Sequence, residues 1–224
     1  MNPKDTEDLE EAKDFVKEFK NRLPSKVDQD ELGCRSKLPW KALSIRDPLL
    51  YRIIELADAA CRLYEANLLA SAFTLTRSAF ETAAMLHWLY KQMDKAVKSR
   101  RVGKDLDEVL MRALLGRKDR HIQPINVLTF IHHLDKQFKG MGESYAALSE
   151  YAHPNWFGVM SLYGKPDPEK KGRCLNLHWP ELGTRAGEGL PLLCAALVLF
   201  KFCYDQTSNI LPAFIQVCDD NLPR

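Results

Sequence analysis

From Pro48 to Ser99 the chain is almost continuously helix-compatible over about fifty residues. Ile53, Leu56, Ala57, Ala60, Leu63 and Tyr64 recur at helical spacing and make one apolar face, while Phe73, Phe80, Ala84, Leu86 and Trp88 belong to the next segment. Fifty residues are too many for one helix of a compact domain, so a turn is predicted between Glu65 and Leu69, at Asn67. Two long antiparallel helices follow, and they commit the chain to helix-on-helix packing.

The flanking sequence extends that frame. Residues 6 to 23 read as an amphipathic helix with Thr6 as N-cap, acidic residues in the first turn and a narrow stripe of Leu9, Ala12, Phe15, Val16 and Phe19. From Pro24 to Asp47 the prolines and Gly33 break any period, which predicts a linker that lets the first helix dock, or swap onto another subunit. Residues 105 to 116 and 125 to 138 predict two shorter helices around the polar turn RKDRHIQP. After Pro154, WFGVMSLYG and GRCLNLHW alternate around the turn-like KPDPEKK, predicting a β-hairpin near 157 to 179. A final helix is predicted from about Thr184 to Cys218, accommodating Pro191 and Pro212. The expected architecture is an all-α, up-and-down helical bundle with a small β-hairpin insertion before the last long helix. It comprises an N-terminal helix plus linker over 1 to 47 and the bundle over 48 to 224.

Composition narrows the partners. In 224 residues with 46% hydrophobic content, a formal net charge of +2 does not demand nucleic acid or an anionic membrane. The first twenty residues lack the apolar stretch of a signal peptide and are too acidic for a mitochondrial presequence. The longest apolar run, LPLLCAALVLF, ends at Lys201, short of the roughly 18 residues a span requires, so no membrane is expected. Six scattered cysteines form no C-x-x-C pair, which fits a reducing cytoplasm. Residues 91 to 120 carry ten Lys/Arg against five Asp/Glu. That excess reads chiefly as helix C-terminal complementation plus a solvated face, and no Phe, Trp or Tyr interleaves it as a stacking platform.

Two polar groups stand out from the apolar pattern. Arg77 and Glu81, four apart, share a helix side bordered by Phe73, Phe80, Ala84 and Trp88. They form either a self-satisfied ion pair that fixes bundle register or a rigid Arg ready for an anionic group. In YAALSEYAHPNW, Ser149 and His153 are also four apart, and Pro154 ends the helix, leaving His153 at its C-terminal carbonyls as a cap or a working imidazole. Glu150 and His153 make a single Glu-x-x-His without a second copy, so no metal is expected. Motifs for phosphate loops, dinucleotides, common-fold serine hydrolases and zincins are absent, and no cofactor is expected.

Together, TRSAFETAAMLHWLY and the later YAALSEYAHPN resemble a bacterial family of helical proteins of unknown function. That family is placed near the HEPN (higher eukaryotes and prokaryotes nucleotide-binding) superfamily of four-helix bundles, and the likeness spans roughly residues 48 to 218. The resemblance implies a cytoplasmic homodimer in which Arg77, Glu81 and His153 converge in a polar pocket, with Ser149, Tyr151 and Asn155 as ligand-binding neighbours. It implies an RNA-processing or toxin and defence-type role, with His153 as general acid or base and Arg77 stabilising charge. The alternative is a non-catalytic helical dimer that binds a nucleotide, another ligand or a protein. Nuclease members carry Arg followed by His after four to six residues; here Arg117 and His121 have three residues between them and no Arg lies just before His153.

Overall fold

The computed structural model describes residues 2–117, 121–171, 173–180 and 186–222. Its first helix, α1 (Pro3–Lys20), begins earlier than the sequence predicts: the Asn2 side chain accepts the Asp5 N–H at 2.8 Å, and Pro3 sits in the first turn where its missing N–H is not needed. Thr6 is therefore inside the helix, bonding back to the Asn2 carbonyl at 3.1 Å. Leu9, Ala12, Val16 and Phe19 form its buried stripe.

The predicted linker is half right. The second helix, α2 (Leu38–Glu65), starts ten residues before Pro48 and runs through it. Pro39 occupies the first turn, and Pro48 forgoes one backbone hydrogen bond in the interior, a loss on the order of 3 kcal/mol. Buried Ile45, Leu49, Leu50 and Ile53 on either side offset it, each fully buried aliphatic side chain contributing about 1.5–3 kcal/mol.

At the turn, Asn67 adopts φ +57°. The Asn67 N–H reaches the Tyr64 carbonyl at 3.1 Å and the Leu68 N–H reaches Leu63 at 2.8 Å, a Schellman closure that needs a left-handed residue. The buried Asn67 side chain also donates to the Pro180 carbonyl. The chain then reverses into α3 (Leu69–Ser99), which packs against α2.

Three shorter helices follow: α4 (Leu106–Leu115), α5 (Val127–Gln137) and α6 (Met141–Ala152). Part of the predicted turn between α4 and α5, residues 118–120, lies outside the described residues. The hairpin is smaller than the sequence predicts. Residues Trp156–Met160 form a π-helical turn continued by α7 (Ser161–Tyr163), because the Asn155 side chain caps the Gly158 N–H at 3.0 Å and Leu162 drops into the core. Among the described residues only β1 (Gly164–Pro166) and β2 (Leu175–Leu177) pair, antiparallel, with Gly164 opposite Leu177.

The last helix, α8 (Ala186–Asp220), is described from Ala186; the predicted start at Thr184 lies outside the described residues. By length and hydropathy it could cross a membrane, yet Leu190, Leu193, Leu197 and Phe200 are fully buried within the chain. It packs against α1, α2 and α3, while α5 and α6 cover another side of α3. The result is an all-α bundle centred on α3 and α8.

Candidate functional site

The α3 side that carries Arg77 and Glu81 faces α6. Arg77 Nε lies 3.2 Å from Glu81 Oε1, with about a quarter of each side chain exposed. A third residue closes the group: Arg77 donates to the Tyr145 hydroxyl at 2.9 Å, and that hydroxyl donates to Glu81 at 2.8 Å. The phenol is 6% exposed, and burial, reinforced by Glu81 and opposed by the Arg77 bonds, pushes its pKa up. Tyr145 thus remains a neutral donor, and the cation, phenol and carboxylate satisfy one another. Tyr145 lies one turn before Ser149 in the same tract; a buried tyrosine among charged residues is the signal that could have found it.

Ser149 does not turn toward His153. Its hydroxyl bonds back to the Tyr145 carbonyl at 2.9 Å. The His153 N–H closes α6 on the Ser149 carbonyl at 3.1 Å, and its ψ of 148° turns the chain out of the helix before Pro154. Its side chain is exposed, and among the described residues its imidazole makes no hydrogen bond or ion pair. Arg77, Glu81 and Tyr145 are bonded to one another, and among the described residues no hydrogen bond or ion pair joins the His153 side chain to them.

Tyr151 and Asn155 hold the surrounding backbone. The Tyr151 ring stacks on Phe73 at 4.3 Å and its hydroxyl donates to Glu188 of α8. Asn155 donates to Glu150 at 2.5 Å as well as capping Gly158, so Glu150 already has a partner. Among the described residues no group of three His, Cys, Asp or Glu side chains is placed to hold a metal ion. Gly158 is required by close approach: a Cβ there would lie 1.9 Å from the His153 carbonyl oxygen.

These elements enclose an open groove of about 260 Å³ between α3 and the end of α6, lined by Ser71, Thr74, Tyr151, His153, Pro154 and Val159 among others. Ligand sites for drug-sized molecules span roughly 300–1,000 Å³, so this groove suits one small group, a base or a phosphate. Arg77 lies one turn beyond Thr74 and does not line it. A second cavity, about 480 Å³, lies where α3 meets α4 and is bordered by Lys95, Arg101 and Lys104 within the basic segment. Nearby Lys98 pairs with Asp94 at 2.8 Å.

One wall of this arrangement, α3, lies within a stretch that matches a family model. Residues 41–121 match a family of unknown function (DUF5677). No curated protein and no solved structure matches the chain. The match to DUF5677 takes in Arg77 and Glu81 but stops short of Tyr145, His153 and the groove's second wall.

Two further polar groups escaped sequence reasoning. His87 is buried, with Nε2 3.1 Å from Gln137 and Nδ1 without a hydrogen-bond partner among the described residues; burial lowers its pKa. Arg46 and Asp47 pair at 2.6 Å beneath Tyr204, whose ring lies 4.6 Å from the guanidinium. The second group hid inside the segment read as linker.

Proposed function

We propose that the protein is a cytoplasmic, HEPN-like helical module that binds a nucleotide, or one nucleotide unit of an RNA, in the His153 groove without cleaving it. The observation that carries this reading is the different engagement of the two polar groups. Arg77, the cation a cleavage mechanism needs for transition-state charge, is engaged by Glu81 and Tyr145, whereas His153 is exposed at the groove with no side-chain partner among the described residues. A lone imidazole can donate to a base edge or a phosphate oxygen, and Ser71 and Thr74 add hydroxyls on the facing wall. Equilibrium dialysis with a set of ribonucleoside monophosphates tests it: wild type is expected to retain at least one of them and His153→Ala to lose it. Equal retention by both proteins would remove the groove from the reading.

RNA processing of the toxin or defence type is the second reading, favoured by the free imidazole, which is available as general acid or base. It requires Arg77 to leave Glu81 for the substrate phosphate. Metal-free cleavage of a labelled RNA pool, abolished in a folded His153→Ala variant, would establish it in place of binding alone. A homodimer belongs to both readings. Val198 and Phe202, one turn apart on α8 and about half exposed, offer a face for it, and light scattering of wild type against Phe202→Asp tests that contact.

A further inference from the structure

Among the described residues, six exposed large hydrophobic side chains fall in the short hairpin, the π-helical turn before it and the residues just after it. Trp156 is 63% exposed, Leu177 77% and Trp179 66%. Neither indole is loose. Trp156 packs edge-on against Phe157 at 5.1 Å, and Trp179 leans on Tyr163 at 6.0 Å, so each ring is held from one side and open on the other. Trp156 and Tyr163 are seven steps apart along a helical stretch, a rise of roughly 10 Å at about 1.5 Å per residue.

Charge accompanies these rings. The pairing places Leu175 and Leu177 on one face of the ribbon, opposite Pro166 and Gly164, and the strands converge on a tip carrying Lys170, Lys171 and Arg173. All three are exposed, and among the described residues none of their side chains joins an ion pair or hydrogen bond. Of the tip's two acids, Asp167 is occupied in capping the Glu169 N–H at 2.9 Å. A two-stranded ribbon is marginal by itself and gains from a partner on its open face. A second copy meeting it face to face would bring two cationic tips together, whereas an anionic strand is attracted.

We infer that the hairpin and π turn form a binding platform for single-stranded RNA. Bases stack on the free faces of Trp156 and Trp179 while Lys170, Lys171 and Arg173 hold phosphates. Exposed cations at the tip of a short ribbon and exposed rings at its base are a combination missing from the basic segment at residues 91 to 120. The inference does not depend on ligand binding in the His153 groove.

The test is fluorescence anisotropy of 5′-fluorescein-labelled dodecauridylate with wild type, Trp156→Ala, Trp179→Ala, a K170E/K171E/R173E variant and His153→Ala. Both indoles are exposed, so thermal melts of the variants should match wild type. Each tryptophan variant is expected to weaken binding roughly 5- to 150-fold. The slope of log K against log salt should be about −2 for three phosphate contacts and fall toward zero in the charge-reversal variant. Loss of binding in the tryptophan and charge-reversal variants supports the platform; retention in those variants with loss in His153→Ala would place the RNA in the groove and overturn the inference. So would failure of wild type to bind at low salt, whether the indoles then partition into anionic phosphatidylglycerol vesicles or mediate a concentration-dependent dimer.

Discussion

Tyr145 decides what Arg77 can do. Its hydroxyl both accepts from the guanidinium and donates to Glu81, so Tyr145→Phe removes the charge-assisted bonds to both while leaving the Arg77–Glu81 pair. The pair is partly exposed, which discounts the loss to about 1–2 kcal/mol, a fall in Tm of roughly 2–8 °C for a chain of this size. Differential scanning calorimetry should show that fall with nucleotide retention unchanged. His87 gives a pH signature. Burial lowers its folded pKa below the unfolded value near 6.5, and His133 is lowered in the same direction, first by partial burial and then by Lys136 and His132. The unfolded chain therefore binds more protons as pH falls through about 6.5, and stability present above that pH is lost toward the folded pKa. Urea midpoints should drop between pH 7 and pH 5, and His87→Gln should flatten the drop. Cys61, Cys194, Cys203 and Cys218 are buried with thiol pKa values pushed up to about 12 by desolvation. Native protein treated with iodoacetamide at pH 8 should leave these four unlabelled by mass spectrometry.

Turns and caps set where the elements begin and end, and here the sequence is legible where a residue's chemistry is local. Asn67 could be placed because a polar, left-handed-tolerant residue interrupts an apolar period, and the Schellman bonds form around it. Asn67→Ala should destabilise by about 1 kcal/mol more than Asn67→Gly, since alanine pays the left-handed backbone cost and glycine does not. The start of α2 was illegible because Pro39, Pro48 and a buried Arg46–Asp47 pair look like loop chemistry until Tyr204 and the neighbouring helices surround them. WFGVMSLY alternates like a strand, yet the Asn155 cap and the contact between Gly158 and the His153 carbonyl wind it into a helix. Gly158→Ala drives a methyl into fixed backbone and should destabilise by about 1–3 kcal/mol. In NMR spectra of that variant the His153 imidazole signal should move.

At the scale of the whole molecule, α1 is a core element. Leu9, Ala12, Val16 and Phe19 are at most 4% exposed against α2 and α8, so its stripe is already covered within the chain. Deleting residues 1–22 would remove several contributions of about 1.5–3 kcal/mol each from a total stability on the order of 5–15 kcal/mol. The truncated chain should lose its cooperative melt and bind a hydrophobic dye; a dimeric mass reduced to monomer with the melt intact would instead assign α1 to assembly. The candidate site was legible as residue types and not as a constellation, because Arg77 is bonded to a partner, Tyr145, that only the packing of α6 on α3 supplies. The proposed groove function is most directly tested by titrating the ribodinucleotide UpA into the protein while following the His153 imidazole by NMR. Binding in the groove without cleavage should give a saturable shift of that one imidazole and leave the UpA intact. An unmoved His153 signal, or UpA consumed as the signal shifts, would contradict it.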